Sequence, residues 1–141
     1  MFVRLLNLPE EVRRRHDLSS VRFVTSMGSP CPPETKRRMI EWWGPVITEC
    51  YASSEAGLNT FITSEEWLKR PGSVGRVLGE GTLRILDDEG RELPPGKIGA
   101  IYVRQPAYPD FTYVNNAAAR AAMEREGLWS VGDMGYLDEA G

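Results

Sequence analysis

Proline occurs ten times and glycine fourteen times in 141 residues, and their placement confines this chain to short elements. Proline inside a helix removes a hydrogen bond and clashes with the preceding turn, whereas glycine lets the backbone reverse direction. No apolar run between these breaks is long enough to cross a bilayer. The N-terminus MFVRLLNLPEEVRRR carries charge within its first turns in place of the apolar region of a secretory signal. The expectation is a chain with no membrane span and no signal peptide. Lys and Arg number 17 against 20 Asp and Glu, a net charge of −3, which lacks the basic excess of a nucleic-acid binder. A hydrophobic fraction of 41% suffices for a packed core. Cys31 and Cys50 form no CxxC pair, and His16 is the only histidine. That argues against a disulfide framework, a Cys/His metal site and a Ser/His/Asp triad, and favours a reduced, cytoplasmic setting.

The breaks divide the chain into readable elements. Pro9, Glu10 and Glu11 followed by Arg13, Arg14 and Arg15 read as a short helix with acids in its first turn and a solvated basic end. VRFVTS, residues 21–26, reads as a strand. PPETKRRMIEWWGP reads as a helix that starts at Pro33 and Glu34, turns Met39, Ile40 and Trp43 to one face, and stops at Gly44 and Pro45. VITECY, residues 46–51, is a second buried strand, and strand, helix, strand is the pattern of a parallel α/β unit. Beyond residue 65 the expectation is antiparallel strands at Leu83–Leu86 and Ile98–Arg104, with turns at 87–90 and 94–96. One Ala-rich helix, Asn116–Glu126 with Gly127 as its C′ residue, interrupts them, and a strand Met134–Leu137 follows. The turn after that strand ends the chain where a partner strand would begin, which reads as truncation. Trp42, Trp43, Trp67 and Trp129 read as packing, and the two cysteines as buried thiols rather than nucleophiles.

One segment looks chemical on its own. In YASSEAG, residues 51–57, a buried strand delivers two hydroxyls and a carboxylate into a small-residue loop, and ligands of open α/β sheets bind at the carboxyl ends of strands. Against this, Ser53 or Ser54 could cap a turn while Glu55 is solvated, and spacing alone does not decide.

FVTSMGSPCPPE, VITECYASSEAG, GSVGR, GKIGAIYVR and LWSVGDMGYLDEAG, in this order, resemble the central part of the AMP-forming adenylating enzymes, the superfamily of acyl-CoA synthetases, luciferases and peptide-synthetase adenylation domains. The resemblance covers nearly the whole chain. It implies the end of a parallel α/β subdomain in residues 1–65 and most of a distorted, mostly antiparallel β-barrel subdomain in 66–141. It also implies an enzyme that joins a carboxylic acid, of the fatty class by general similarity of FITSEEWLKRPGSVGR to the acyl-CoA synthetase branch, to coenzyme A through an acyl-adenylate made from ATP. Position by position, Gly28, Ser29 and Pro30 match the loop whose backbone lies against adenine, and Tyr51 the aromatic that stacks on it. Ser54 stands where the family has a hydroxyl for the α-phosphate, Glu55 where it has the Mg²⁺ carboxylate, and Asp133 where it has the carboxylate for the ribose hydroxyls.

Ala52, Met27 and Gln105 each stand where the family favours glycine, and a narrowed acyl pocket at Ala52 and Met27 is one reading. The family's phosphate loop with its lysine, and the lysine and arginine of its mobile C-terminal domain, do not occur in these residues, so the expectation is a piece that is inactive alone. A carrier-loading adenylation domain, or a non-catalytic interaction module derived from such an enzyme, are the alternatives. Oligomeric state is not indicated.

Overall fold

The computed structural model describes residues 1–141. In chain order, the first half forms α1 (Phe2–Leu6), α2 (Glu10–Arg14), β1 (Val24–Ser26), α3 (Pro33–Trp43), β2 (Ile47–Glu49), β3 (Ala52–Ser53), β4 (Gly57–Leu58), β5 (Thr60–Phe61) and α4 (Ser64–Lys69). The second half forms β6 (Arg76–Val77), β7 (Thr82–Leu86), β8 (Gly99–Arg104), α5 (Ala117–Ala122), β9 (Glu124–Arg125), β10 (Leu128–Trp129) and β11 (Met134–Gly135). No helix is long and apolar enough to cross a membrane. The chain divides into two compact units, Met1–Tyr51 with Phe61–Gly75, and Ala52–Thr60 with Arg76–Gly141.

In the first unit β1 and β2 pair in parallel, Val24 opposite Ile47, Thr25 opposite Thr48 and Ser26 opposite Glu49. Helix α3 is the crossover, as the strand–helix–strand pattern predicts. Both strands are shorter than expected, because residues outside this three-pair register have no ladder partner. Pro33 opens α3, and Gly44, at φ 80°, closes it with its N–H on the Ile40 carbonyl at 2.8 Å. Met39 and Ile40 enter a core with Leu6, Ile47, Ile62 and Trp67, and Trp43 packs edge-on against Phe2. Helix α2 is as expected, with Arg14 paired to Glu10 in solvent.

Helix α4 was not anticipated, although its signal is present in TSEEW. Thr63 and Glu66 form a reciprocal capping box, the Thr63 hydroxyl accepting the Glu66 N–H at 3.2 Å and the Glu66 carboxylate accepting the Thr63 N–H at 3.1 Å. Buried Ser64 then meets Ile47 in β2, accepting its N–H at 3.0 Å and donating to its carbonyl at 2.6 Å. One hydroxyl thereby satisfies both backbone groups of a strand residue.

Lys36 departs furthest from its sequence appearance. It stands in the charged run ETKRR yet is fully buried, with its ammonium 2.8 Å from Glu49 Oε2 and 4.7 Å from the centre of the Trp67 ring. Desolvation pulls the lysine pKa below its ordinary value, and the hydrogen bond that Lys36 donates to the Glu49 carboxylate opposes that pull.

The second unit is built on β8. Strand β7 pairs antiparallel along one edge, from Thr82 opposite Arg104 to Leu86 opposite Ala100. On the other edge Trp129 of β10 lies opposite Val103, and Met134 of β11 opposite Ala100. Ile85, Leu86, Val103, Leu128 and Trp129 are buried. The sheet is antiparallel and open, not closed into a barrel.

The long Ala-rich helix is corrected. It ends at Ala122, and Glu124–Arg125 pairs with Leu128–Trp129 as a hairpin. Glu126 and Gly127 form the two-residue loop with φ 52° and 75°, the signature of a type I′ turn that matches strand twist. Gly127 is thus a hairpin residue and no helix C′. The final strand likewise stops at Gly135, and the Leu137 carbonyl instead accepts the Gly96 N–H at 2.8 Å.

Removing one member of a buried ion pair leaves an uncompensated charge, whereas replacing both can be neutral. Glu49→Leu should therefore destabilise the protein by roughly 3–5 kcal/mol, and adding Lys36→Met should restore most of that loss. Urea unfolding of the single and double variants checks this, and equal midpoints for both would remove the pair as the cause.

Candidate functional site

The loop that leaves β1 in the first unit passes through exposed Gly28, Ser29 and Pro30 before α3. Gly28 adopts φ 84°, the left-handed region that suits glycine. The loop is tied at its far end, where the Cys31 N–H donates to Glu49 Oε1 at 3.3 Å. The carboxylate paired with Lys36 therefore also holds the loop. Tyr51 is half-buried and follows β2 by two residues, so loop and tyrosine are both referenced to the same strand end. Cys50 is buried, Cys31 half-buried, and neither is in a disulfide. Desolvation, with Glu49 nearby, pushes both thiols above the ordinary range, which disfavours the thiolate a nucleophile needs.

In the second unit β3 and β4 pair antiparallel, Ala52 opposite Leu58 and Ser53 opposite Gly57, and present Ser54, Glu55 and Ala56 as their loop. Ser53 caps it, its Oγ accepting the Ala56 N–H at 3.0 Å, so one of the two serines is the turn residue that the spacing allowed. Ser54 is exposed. Glu55 is not merely solvated: its Oε1 accepts the Tyr113 hydroxyl at 2.8 Å. That bond, then desolvation and the carboxylate charge, raise the tyrosine pKa. Asp133 is exposed immediately before β11, a separate strand of this unit, and its carbonyl accepts the Ile101 N–H at 2.9 Å.

No group of three or more His, Cys, Asp or Glu side chains could cage a metal ion. A hard cation with one carboxylate and substrate phosphates as ligands needs no such cage, and the oriented Glu55 carboxylate fits that arrangement.

Tyr113, Lys36 and Glu49 escaped sequence reasoning. A carboxylate inside the apolar strand VITECY was a signal for Glu49, and Lys36 shares a helical face with Met39, Ile40 and Trp43. Nothing local marks Tyr113, 58 residues from Glu55. Gln105, a departure at a usual glycine, is buried and donates to the Leu78 carbonyl at 3.0 Å, beside a cleft of about 410 Å³ lined by Leu58, Pro106 and Tyr108.

The chain thus combines a strand–helix–strand unit, whose loop carries Gly28, with an open antiparallel unit that carries a serine-capped carboxylate loop. The chain belongs to the AMP-binding enzyme family, whose profile matches residues 1–108, and so to the AMP-forming adenylating superfamily. It is 34% identical over 126 residues to an indoleacetate–CoA ligase of Aromatoleum aromaticum, covering 89% of this chain and 24% of that protein. It is 32% identical over 142 residues to a long-chain-fatty-acid–CoA ligase of Bacillus subtilis, covering 100% of this chain and 25% of that protein. Among solved structures, the amide bond synthetase McbA of Marinactinospora thermotolerans superposes with a TM-score of 0.87 at 31% identity, over 99% of this chain and 29% of that one. An o-succinylbenzoate CoA synthetase of Bacillus subtilis in complex with AMP superposes with a TM-score of 0.80 at 25% identity, over 93% of this chain and 27% of that one. The chain thus spans about a quarter of the length of the curated relatives it matches.

Gly57 closes the Glu55 loop at φ 69°, where a Cβ would overlap the Tyr108 ring. Gly57→Ala should cost roughly 1–3 kcal/mol, and Tyr108→Ala in the same chain should return part of it. Thermal unfolding of the two variants measures this. A wild-type midpoint for Gly57→Ala would show that the loop tolerates a side chain.

Proposed function

We propose that these 141 residues are the central segment of an AMP-forming acid–CoA ligase. The observation that carries the reading is the Glu55 carboxylate in the YASSEAG loop of an AMP-binding family member, oriented by the Tyr113 hydroxyl. The proposed reaction has two displacements. A carboxylate oxygen of the acid attacks the α-phosphorus of ATP, the α–β phosphoanhydride bond breaks, and pyrophosphate leaves. The thiol of coenzyme A, losing its proton, then attacks the acyl carbon, and the acyl–oxygen bond to AMP breaks. The acid is a carboxylic acid of the fatty class, a choice supported by similarity to a long-chain-fatty-acid–CoA ligase. A cytoplasmic setting is supported by the two unpaired cysteines.

In this reading the backbone of Gly28, Ser29 and Pro30 lies along adenine and Tyr51 stacks on its face. The Ser54 hydroxyl contacts the α-phosphate, and Asp133 accepts the ribose hydroxyls. Glu55 would hold Mg²⁺, which supplies charge neutralisation at the phosphates when bound. Residues 1–65 would complete the α/β subdomain, and 66–141 would contribute most of a barrel-like subdomain whose closure needs further strands. Donors for the β- and γ-phosphates would come from outside these residues, so the isolated segment should release no pyrophosphate from ATP with any acid. A pyrophosphate assay on pure segment over a panel of acids checks this, and clear turnover would overturn it.

The ribose assignment has its own test. A charged hydrogen bond is worth roughly 1.5–3 kcal/mol, so the intact ligase should prefer ATP to 2′,3′-dideoxy-ATP by on the order of tenfold to a hundredfold or more. Asp133→Ala should erase most of that preference. Comparing kcat/KM for both nucleotides with both proteins cancels general damage to first order. An alanine variant that keeps the preference would make Asp133 a turn residue.

A further inference from the structure

We infer that Tyr113 is a positioning residue for the Glu55 carboxylate, and that the segment from Asp110 to Met123 exists in part to present its hydroxyl. The inference rests on the reading of Glu55 as the magnesium ligand and deepens it.

The hydroxyl comes from a rigid support. Phe111 lies edge-on between Tyr113, with ring centres 5.5 Å apart, and buried Trp129, at 5.2 Å. The Arg120 guanidinium sits 4.8 Å from the centres of both the Phe111 and Trp129 rings. The same guanidinium binds Asp110 at 3.0 Å, Glu124 at 2.8 Å and the Phe111 carbonyl at 3.3 Å. Helix α5, which carries Arg120, starts at an Asn116 cap whose side chain accepts the Ala119 N–H at 3.2 Å. The tyrosine ring is therefore held on one side by its own segment before it meets Glu55.

The contact itself is selective. Tyr113 donates to Oε1 of Glu55, and its oxygen also lies 3.3 Å from Met123 Sδ. A donor on one carboxylate oxygen fixes the side-chain rotamer and leaves Oε2 able to accept a hard cation. A carboxylate on a three-residue loop would otherwise sample several rotamers and lose part of its binding free energy in ordering. Tyr113 need not touch substrate or metal for this effect.

The test uses the intact ligase and one atom. Tyr113→Phe keeps the ring and removes the hydroxyl. It should raise the magnesium concentration for half-maximal ATP–pyrophosphate exchange by roughly two- to tenfold, less than the full worth of a hydrogen bond to a charged group because the Glu55 carboxylate keeps its charge and loses only its orientation, with thermal stability little changed. Glu55→Gln should shift the same quantity further, and Tyr113→Phe added to it should have no additional effect. Met123→Leu, which removes the sulfur and spares the Glu55 contact, should leave the magnesium dependence unchanged. If Tyr113→Phe matches wild type while Glu55→Gln shifts the dependence, the positioning role is wrong and the metal reading stands. If Glu55→Gln itself leaves the dependence unchanged, the metal reading fails and the inference falls with it. Equal shifts from Tyr113→Phe and Met123→Leu would assign the effect to packing of the segment and overturn the inference.

Discussion

The first unit depends on one carboxylate placed between three elements. Glu49, in β2, binds the Lys36 ammonium from α3 through one oxygen and the Cys31 amide through the other. Burying such a pair gains little net stability over an apolar substitute. What it supplies is geometry, because an ion pair of this kind has one good arrangement whereas apolar contacts have many. Strand, crossover helix and glycine loop are thereby set to a common reference, and Trp67 closes over the lysine from α4.

The second unit solves a similar problem with a cation above aromatic rings. Arg120 stacks on Phe111 and Trp129 while pairing with two acids at its rim. Trp129 is in turn flanked by Arg104 at 4.5 Å on the central strand β8. The irregular stretch before α5 is ordered by this stack rather than by a ladder of backbone bonds. That is the setting in which Tyr113 reaches Glu55. In both units a loop is held by a polar side chain that is itself buried or supported by aromatic packing, an arrangement that limits rotamer freedom.

Membership of the AMP-binding family rests on residues 1–108, and the chain spans about a quarter of the length of its curated relatives. Fold likeness to both CoA ligases and an amide bond synthetase shows one scaffold serving different acceptors.

Much of this was legible in the residues alone. Pro33, Glu34, Gly44 and Pro45 mark the ends of α3 because capping and φ restrictions act within a few residues. The pairing of VRFVTS with VITECY follows from their β-branched content on either side of that helix, and the YASSEAG loop was found by its composition. The start of α4 carries a local mark as well, the Thr63 and Glu66 capping box, although no helix was expected there. The end of α5 was not legible. The Ala-rich periodicity runs on through Glu124, but burial of Leu128 and Trp129 against β8 draws Glu124–Arg125 into a hairpin. Lys36 looked solvated because its partner is 13 residues away on another element, and Tyr113 looked ordinary because its partner is 58 residues away. The sequence by itself determined the short elements, the turns between them and the family's motif loops, since these rest on local backbone preferences. Tertiary structure alone decided which charges are buried and which hydroxyl meets the loop carboxylate, since those depend on desolvation and contact between segments that are distant in the chain.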